Sequence, residues 1–63
     1  MFDNFEKETG LKIRYDYNSN KYIEVSGKSY KYISNKIKEY NRKHNCNIHY
    51  FDDVYKDCTY ITF

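Results

Sequence analysis

An α+β domain is the fold class that this chain predicts, on three observations. Two early stretches alternate apolar and polar residues, a central stretch carries apolar residues at helical spacing, and two β-type runs close the chain. In order, the elements read as a short N-terminal helix, a β-hairpin, one long amphipathic helix and a second β-hairpin (αββαββ). The long helix is expected on one face of a small, mostly antiparallel sheet. All 63 residues are expected to form a single domain.

The first ten residues carry helix punctuation. Asp3 is an expected N-cap with Glu6 three residues later, Gly10 fits the stop, and Phe2 and Phe5 would anchor the turn to a core. From Leu11 to Tyr17 the alternation places Leu11, Ile13, Tyr15 and Tyr17 on one face and Lys12, Arg14 and Asp16 on the other. Asn18-Ser19-Asn20 is turn chemistry, because Asn tolerates the left-handed backbone that short hairpin loops need. Alternation resumes from Lys21 to Ser26, with Ile23 and Val25 apolar. A three-residue loop would pair Tyr17 with Lys21, Tyr15 with Ile23 and Ile13 with Val25, which keeps the apolar faces together. It would also set Arg14 opposite Glu24, a pair of opposite charge worth about 0.2–1 kcal/mol.

The long helix is expected from about Ser29 to Asn45. Tyr30, Ile33, Ile37 and Tyr40 recur at spacings of three and four, and His44 continues that stripe. Ser29 or Ser26 is the expected cap, and Arg42, Lys43 and His44 sit where the helix dipole favours cations. Two strands follow, about Cys46–Phe51 and Cys58–Phe63, around the polar loop Asp52–Asp57. Pairing Ile48 with Ile61 gathers Cys46, Ile48, Tyr50, Thr59, Ile61 and Phe63 on one face and points Cys46 and Cys58 apart. A register centred on Asp52 would instead bring the two thiols together, but it sets Ile48 against Lys56.

Size makes the core thin. A chain this short buries only about 60% of the surface it exposes when unfolded. Leu, Ile, Val and Phe make up 13 of the 63 residues, close to the roughly 20% at which a highly charged chain stays disordered. Net charge is only +2, and nine Tyr add large rings that half-bury well, so the chain is expected to fold. Since such a core supplies no more than about 3–5 kcal/mol, a homodimer or a face awaiting a partner is expected. No apolar run approaches the ~18 residues of a membrane span and no signal-peptide pattern opens the chain, so a cytoplasmic protein with free thiols is expected.

Charge is spread unevenly. Residues 28–45 hold six bases (Lys28, Lys31, Lys36, Lys38, Arg42, Lys43) against Glu39 alone, whereas the first ten and the last eighteen residues are each net acidic. Tyr32 falls on the far side of the helix from the apolar stripe, with Lys28 and Lys36 four residues either side and Lys43 further along. An aromatic ring among lysines suits a nucleotide base or the acidic surface of a protein. Lysines on an exposed face also simply keep a small protein in solution, with Tyr32 resting on their stems. The sheet face away from the helix offers a second candidate surface: Lys12, Arg14, Tyr22, Glu24, His49, Phe51 and Tyr60.

Reaction chemistry finds little support. His44, Cys46, His49 and Cys58 do not have the tight paired spacing of structural zinc sites. Ser26-Gly27-Lys28-Ser29 resembles the end of a phosphate-binding loop, but Tyr22 stands where the earlier glycine is required. Neither cysteine comes with an orienting third group, and Asp52-Asp53 reads as turn chemistry. No cofactor and no catalysis are expected. The reading is a non-catalytic inhibitor or adaptor that blocks a host protein through Tyr32, Lys28, Lys36 and Lys43 or through Tyr22, Phe51 and Tyr60, since tyrosine is enriched in interfaces. Abundant Lys, Asn, Tyr and Ile with no Ala, Pro or Trp is the bias of AT-rich genomes and points to a phage or mobile-element, anti-defence protein of the host cytoplasm. The alternative is a small nucleic-acid-binding regulator that uses the basic helix 28–45.

Overall fold

A computed structural model describes residues 3–62. Helix α1 spans Asp3–Thr9, strands β1 and β2 span Arg14–Tyr15 and Lys21–Glu24, helix α2 spans Tyr30–His44, and strands β3 and β4 span His49–Asp53 and Cys58–Thr62. The αββαββ order is therefore as expected. The strands form one antiparallel sheet in the order β1-β2-β4-β3, so the second hairpin inserts β4 against β2 and leaves β1 and β3 at the edges. Phe2, Phe63 and the side chain of Asp3 lie outside the described part of the chain. Among the described residues no helix is long and apolar enough to cross a membrane.

The core lies between α2 and one face of the sheet. Ile33 and Ile37 of α2 are wholly buried against Phe5, Leu11, Ile23, Val25, Ile48 and Ile61. Burial of an aliphatic or phenyl side chain of this size contributes about 1.5–3 kcal/mol, and most of the few described aliphatic residues are concentrated here, with Val54 and Phe51 left exposed. Tyr30, Tyr40, Tyr50 and Ile13 extend the core as half-buried neighbours. Phe5 meets Tyr40 edge-on, ring centroids 5.0 Å apart, and that contact seats α1 on α2.

Local chemistry sets the ends of α2 where the sequence predicts them. The Ser29 hydroxyl accepts from the Tyr32 N–H at 3.0 Å, which satisfies one orphan donor of the first turn. Asn45 takes the left-handed conformation at φ 52°, its own N–H bonding back to the Asn41 carbonyl. Before the helix, Gly27 at φ 84° supplies the tight turn that follows Val25, where the Lys28 N–H donates to the Val25 carbonyl.

Both hairpin registers differ from the expected ones by two residues. In the first, Arg14 pairs with Tyr22 and Tyr15 with Lys21. The cause is Asp16, whose Oδ1 accepts from the Asn18 and Asn20 N–H groups at 2.9 Å, with Asn20 Nδ2 donating to Oδ2. This Asx-type loop is longer than the three-residue turn and draws the strands apart earlier. Pairing of Leu11–Ile13 with β2 is also forgone, because Glu6 Oε2 takes the Ile13 N–H at 2.8 Å and ties that segment to α1. A shift of two preserves inward and outward parity. Leu11, Ile23 and Val25 still enter the core, but Tyr15 and Tyr17 are exposed instead of packed, and Arg14 meets Glu24 diagonally at 3.5 Å.

The second hairpin pairs Tyr50, not Ile48, with Ile61. Ile48 is removed from the ladder by Asn41, which accepts from its N–H at 2.9 Å and donates to its carbonyl at 3.1 Å. The turn moves with it: Asp53 Oδ1 accepts from the Lys56 N–H, and Asp57 takes φ 53°. Asp52 and Asp53 therefore belong to β3, not to a loop. Ile48, Tyr50, Thr59 and Ile61 face inward as expected, whereas Cys46 is exposed. Cys46 and Cys58 are both free.

Candidate partner-binding surfaces

The candidate residues divide between two sides of the molecule. On the sheet's open face the registers align Arg14 with Tyr22, Tyr22 with Tyr60, and Tyr60 with Phe51. One residue from each strand thus forms a continuous row across β1-β2-β4-β3, roughly 14 Å wide at the usual strand spacing. The Tyr22 and Tyr60 rings are half-buried and tilted, centroids 6.0 Å apart, while Phe51 at the edge is 67% exposed. An exposed phenyl ring continuous with two tyrosines gives this face both apolar area and hydroxyls for hydrogen bonding.

The rest of the expected face divides. Glu24 lies beside the row, opposite Cys58, and His49 lies on β3 opposite Thr62. Lys12 does not join it: the segment is held by α1, and Lys12 edges a separate shallow hollow with Glu6 and Gly10.

Next to the tyrosines a groove of about 400 Å³ opens, a volume within the ~300–1,000 Å³ range of small-ligand clefts. Four of its residues lie in loops and turns, Asp16, Ser26, Lys56 and Asp57; the alternation puts Asp16 in the first strand, and Lys56 and Asp57 carry no site signal in the sequence. Their place depends on turn geometry, which carries no periodic signal. Lys56 reaches back over β4, its Nζ donating to the Tyr60 hydroxyl at 3.2 Å and lying 5.6 Å from that ring's centroid. That hydrogen bond, with the nearby charges of Asp53 and Asp16, raises the Lys56 pKa above the ordinary lysine value. Hydrogen bonds from the Asn20 and Asn18 backbone and the Asn20 side chain hold the Asp16 carboxyl below the usual range. Cys58 forms part of the floor, and burial pushes its thiol pKa up, so it is held as the neutral thiol.

On the helix side, Tyr32 is 44% exposed and Lys36 Nζ lies 5.6 Å from its ring centroid. Lys28 precedes the Ser29 cap, so the helical four-residue spacing that was to bring it to Tyr32 does not apply. Lys43 turns toward α1, where its Nζ is 3.7 Å from Glu8 Oε2, and His44 Nε2 lies 2.7 Å from Glu8 Oε1. His44 also stacks on Tyr40 at 4.3 Å. One carboxylate from α1 thus engages a lysine and a histidine at the end of α2. Of the helix candidates the structure brings together Tyr32 and Lys36.

The Cys and His residues are dispersed. His49 Nε2 is 3.3 Å from Asn47 Nδ2, the exposed Cys46 thiol donates to Asn41 Oδ1 at 3.4 Å, and His44 is taken up by Glu8. Among the described residues no three His, Cys, Asp or Glu side chains are grouped to hold a metal ion. In comparisons with known proteins, no family model, no curated protein and no solved structure matches this chain.

Proposed function

We propose that this chain is a non-catalytic binding protein, an inhibitor or adaptor that docks its open sheet face on another protein. The observation that carries the reading is the row Arg14, Tyr22, Tyr60 and Phe51 across all four strands. Tyr, Phe and Arg are the residues that interface centres favour, and a rigid sheet presents them at little entropic cost. Phe51 is placed to act as the anchor, since burying a phenyl side chain fully contributes about 1.5–3 kcal/mol. Composition supports a phage or mobile-element origin, and with it a host protein in the bacterial cytoplasm as the target.

The test is affinity capture from a bacterial lysate with the wild-type chain and with Phe51→Ser side by side. A protein retained by the wild type and lost with Phe51→Ser supports the face. Equal retention by both overturns it.

A nucleic-acid-binding role is the second reading, favoured by the Tyr32 and Lys36 pair beside Lys31, Lys38 and Arg42 on α2. Glu8 weakens it, because it occupies Lys43 and His44 with its own charge. Binding through several lysines must fall steeply with salt, with a log–log slope of about −0.9 per phosphate neutralised on duplex DNA. Absence of any complex with DNA or RNA at low salt overturns this reading.

A further inference from the structure

The groove beside the tyrosine row has a chemistry of its own. Tyr22 and Tyr60 form its aromatic wall, and Asp16 comes from the β1–β2 loop. Glu24 ends β2 next to Val25, whose N–H donates to the Asp57 carbonyl, while the Asp57 carboxylate accepts from the Tyr30 hydroxyl at 3.5 Å. These three carboxylates are opposed by one ammonium among the lining residues, that of Lys56. The charge is therefore complementary to a cation, and the electron-rich faces of two tyrosines add to the same preference. Glu24 retains reach for a ligand, since its contact with Arg14 is a solvent-exposed pair at 3.5 Å. Such exposed pairs contribute little and exchange readily.

Lys56 is itself the second observation. It is an exposed loop residue, yet its side chain folds back over Tyr60, where its ammonium bonds the hydroxyl and lies near the ring. The chain has thus seated one of its own cations in the groove. Given the reading of this face as a docking surface, we infer that the groove receives an arginine or lysine side chain of the partner protein, with Lys56 holding that seat in the free chain. Displacement moves Lys56 into water and exposes the tyrosines to the incoming group. Arginine is the better fit, because its planar guanidinium stacks on a ring while its forked donors suit the Glu24 carboxylate, Asp16 being already bonded by Asn18 and Asn20.

The experiment is an NMR titration of the full chain at low ionic strength with a capped Gly-Arg-Gly peptide. The same peptide with citrulline for arginine is the uncharged isostere. The Tyr22 and Tyr60 ring signals should move with the arginine peptide and stay in place with the citrulline one. Lys56→Met should bind the arginine peptide about two- to five-fold more tightly, as expected for removal of a competing surface cation–π contact. Glu24→Gln with Asp57→Asn, which keep the shapes and remove charge, should weaken it. An equal response to citrulline, shifts mapping to α2, or no response in either wild type or Lys56→Met overturns the inference. Tyr22 and Tyr60 signals that move with the chain's own concentration would make a second copy the occupant and overturn the partner-protein assignment. The docking face is judged separately by Phe51→Ser in the capture experiment. If capture depends on Phe51 while the arginine peptide has no effect, the cation seat falls and the face stands.

Discussion

Asn41 holds Ile48 by both of its backbone polar groups, accepting from the N–H at 2.9 Å and donating to the carbonyl at 3.1 Å. The two residues come from the last turns of α2 and the run into β3, so this one side chain fixes where the second hairpin begins. Ile48 is 4% exposed, and its peptide has little access to replacement water. Asn41→Ala should therefore lower stability by about 2–4 kcal/mol, from two lost bonds and the groups left unpaired. Asn41→Asp, which keeps the acceptor and loses the donor, should fall between. Urea unfolding followed by circular dichroism measures both.

That contact also explains what was legible in the sequence. The stripe Tyr30, Ile33, Ile37 and Tyr40 and the ends Ser29 and Asn45 are local features, readable from spacing and capping chemistry alone. Strand parity is readable for the same reason, and it suffices to put Tyr22, Phe51 and Tyr60 on the open face. The pairing registers are not, because Asp16 and Asn41 set them by side-chain bonds to backbone that compete with the ladder. Lys28 stands apart from Tyr32 because it precedes the cap, and Lys43 because it answers to Glu8, distant in sequence. Lys56 and Asp57 reach the groove through a turn whose geometry no alternation reveals.

The Glu8 cluster predicts an acid dependence. A hydrogen bond from His44, followed by the charges of His44 and Lys43, holds the Glu8 pKa below the ordinary glutamate value. A depressed folded-state pKa means the contribution is fully present above the unfolded value and lost as pH falls through the folded one. The seating of α1, with Phe5 on Tyr40, should therefore loosen in acid and not at neutral pH. Thermal unfolding carried from neutral into acid conditions should show a steeper loss for the wild type than for Glu8→Gln. Parallel profiles would contradict the assignment.

Thiol reactivity should separate the two cysteines. Cys46 is exposed, whereas Cys58 is buried in the floor of the groove, and that burial raises its thiol pKa above the ordinary value. The thiolate is the reactive form, so burial and a raised pKa act in the same direction. With a chromogenic disulfide reagent at neutral pH, one equivalent should react rapidly and the second only as the chain opens. Cys46→Ser should abolish the rapid phase and leave the slow one.

The Ser29 cap has a measurable value. Ser29→Ala removes the acceptor for the Tyr32 N–H and should cost about 1 kcal/mol, while Ser29→Asp should be close to neutral. Because Ser29 also precedes the Tyr32 turn, the pair of variants reports whether helix stability affects any binding that Tyr32 contributes. If partner capture is unchanged in Ser29→Ala, the first turn of α2 stands outside the contact.

Phe51 permits the sharpest separation of folding from binding. At 67% exposure it contributes little to the core, so Phe51→Ser should change stability by no more than about 0.5 kcal/mol. Ile61, its counterpart on the inner face, is buried, and Ile61→Ala should cost about 2–5 kcal/mol. If the row across the sheet is the docking surface, Phe51→Ser should nonetheless weaken partner binding at least ten-fold, equivalent to about 1.4 kcal/mol, as truncation of an aromatic anchor does. Tyr32→Ala on the opposite side should leave that affinity unchanged. The reverse pattern, with Tyr32 sensitive and Phe51 silent, would move the contact to the helix, and the acidic groove beside Tyr60 would then face away from the partner.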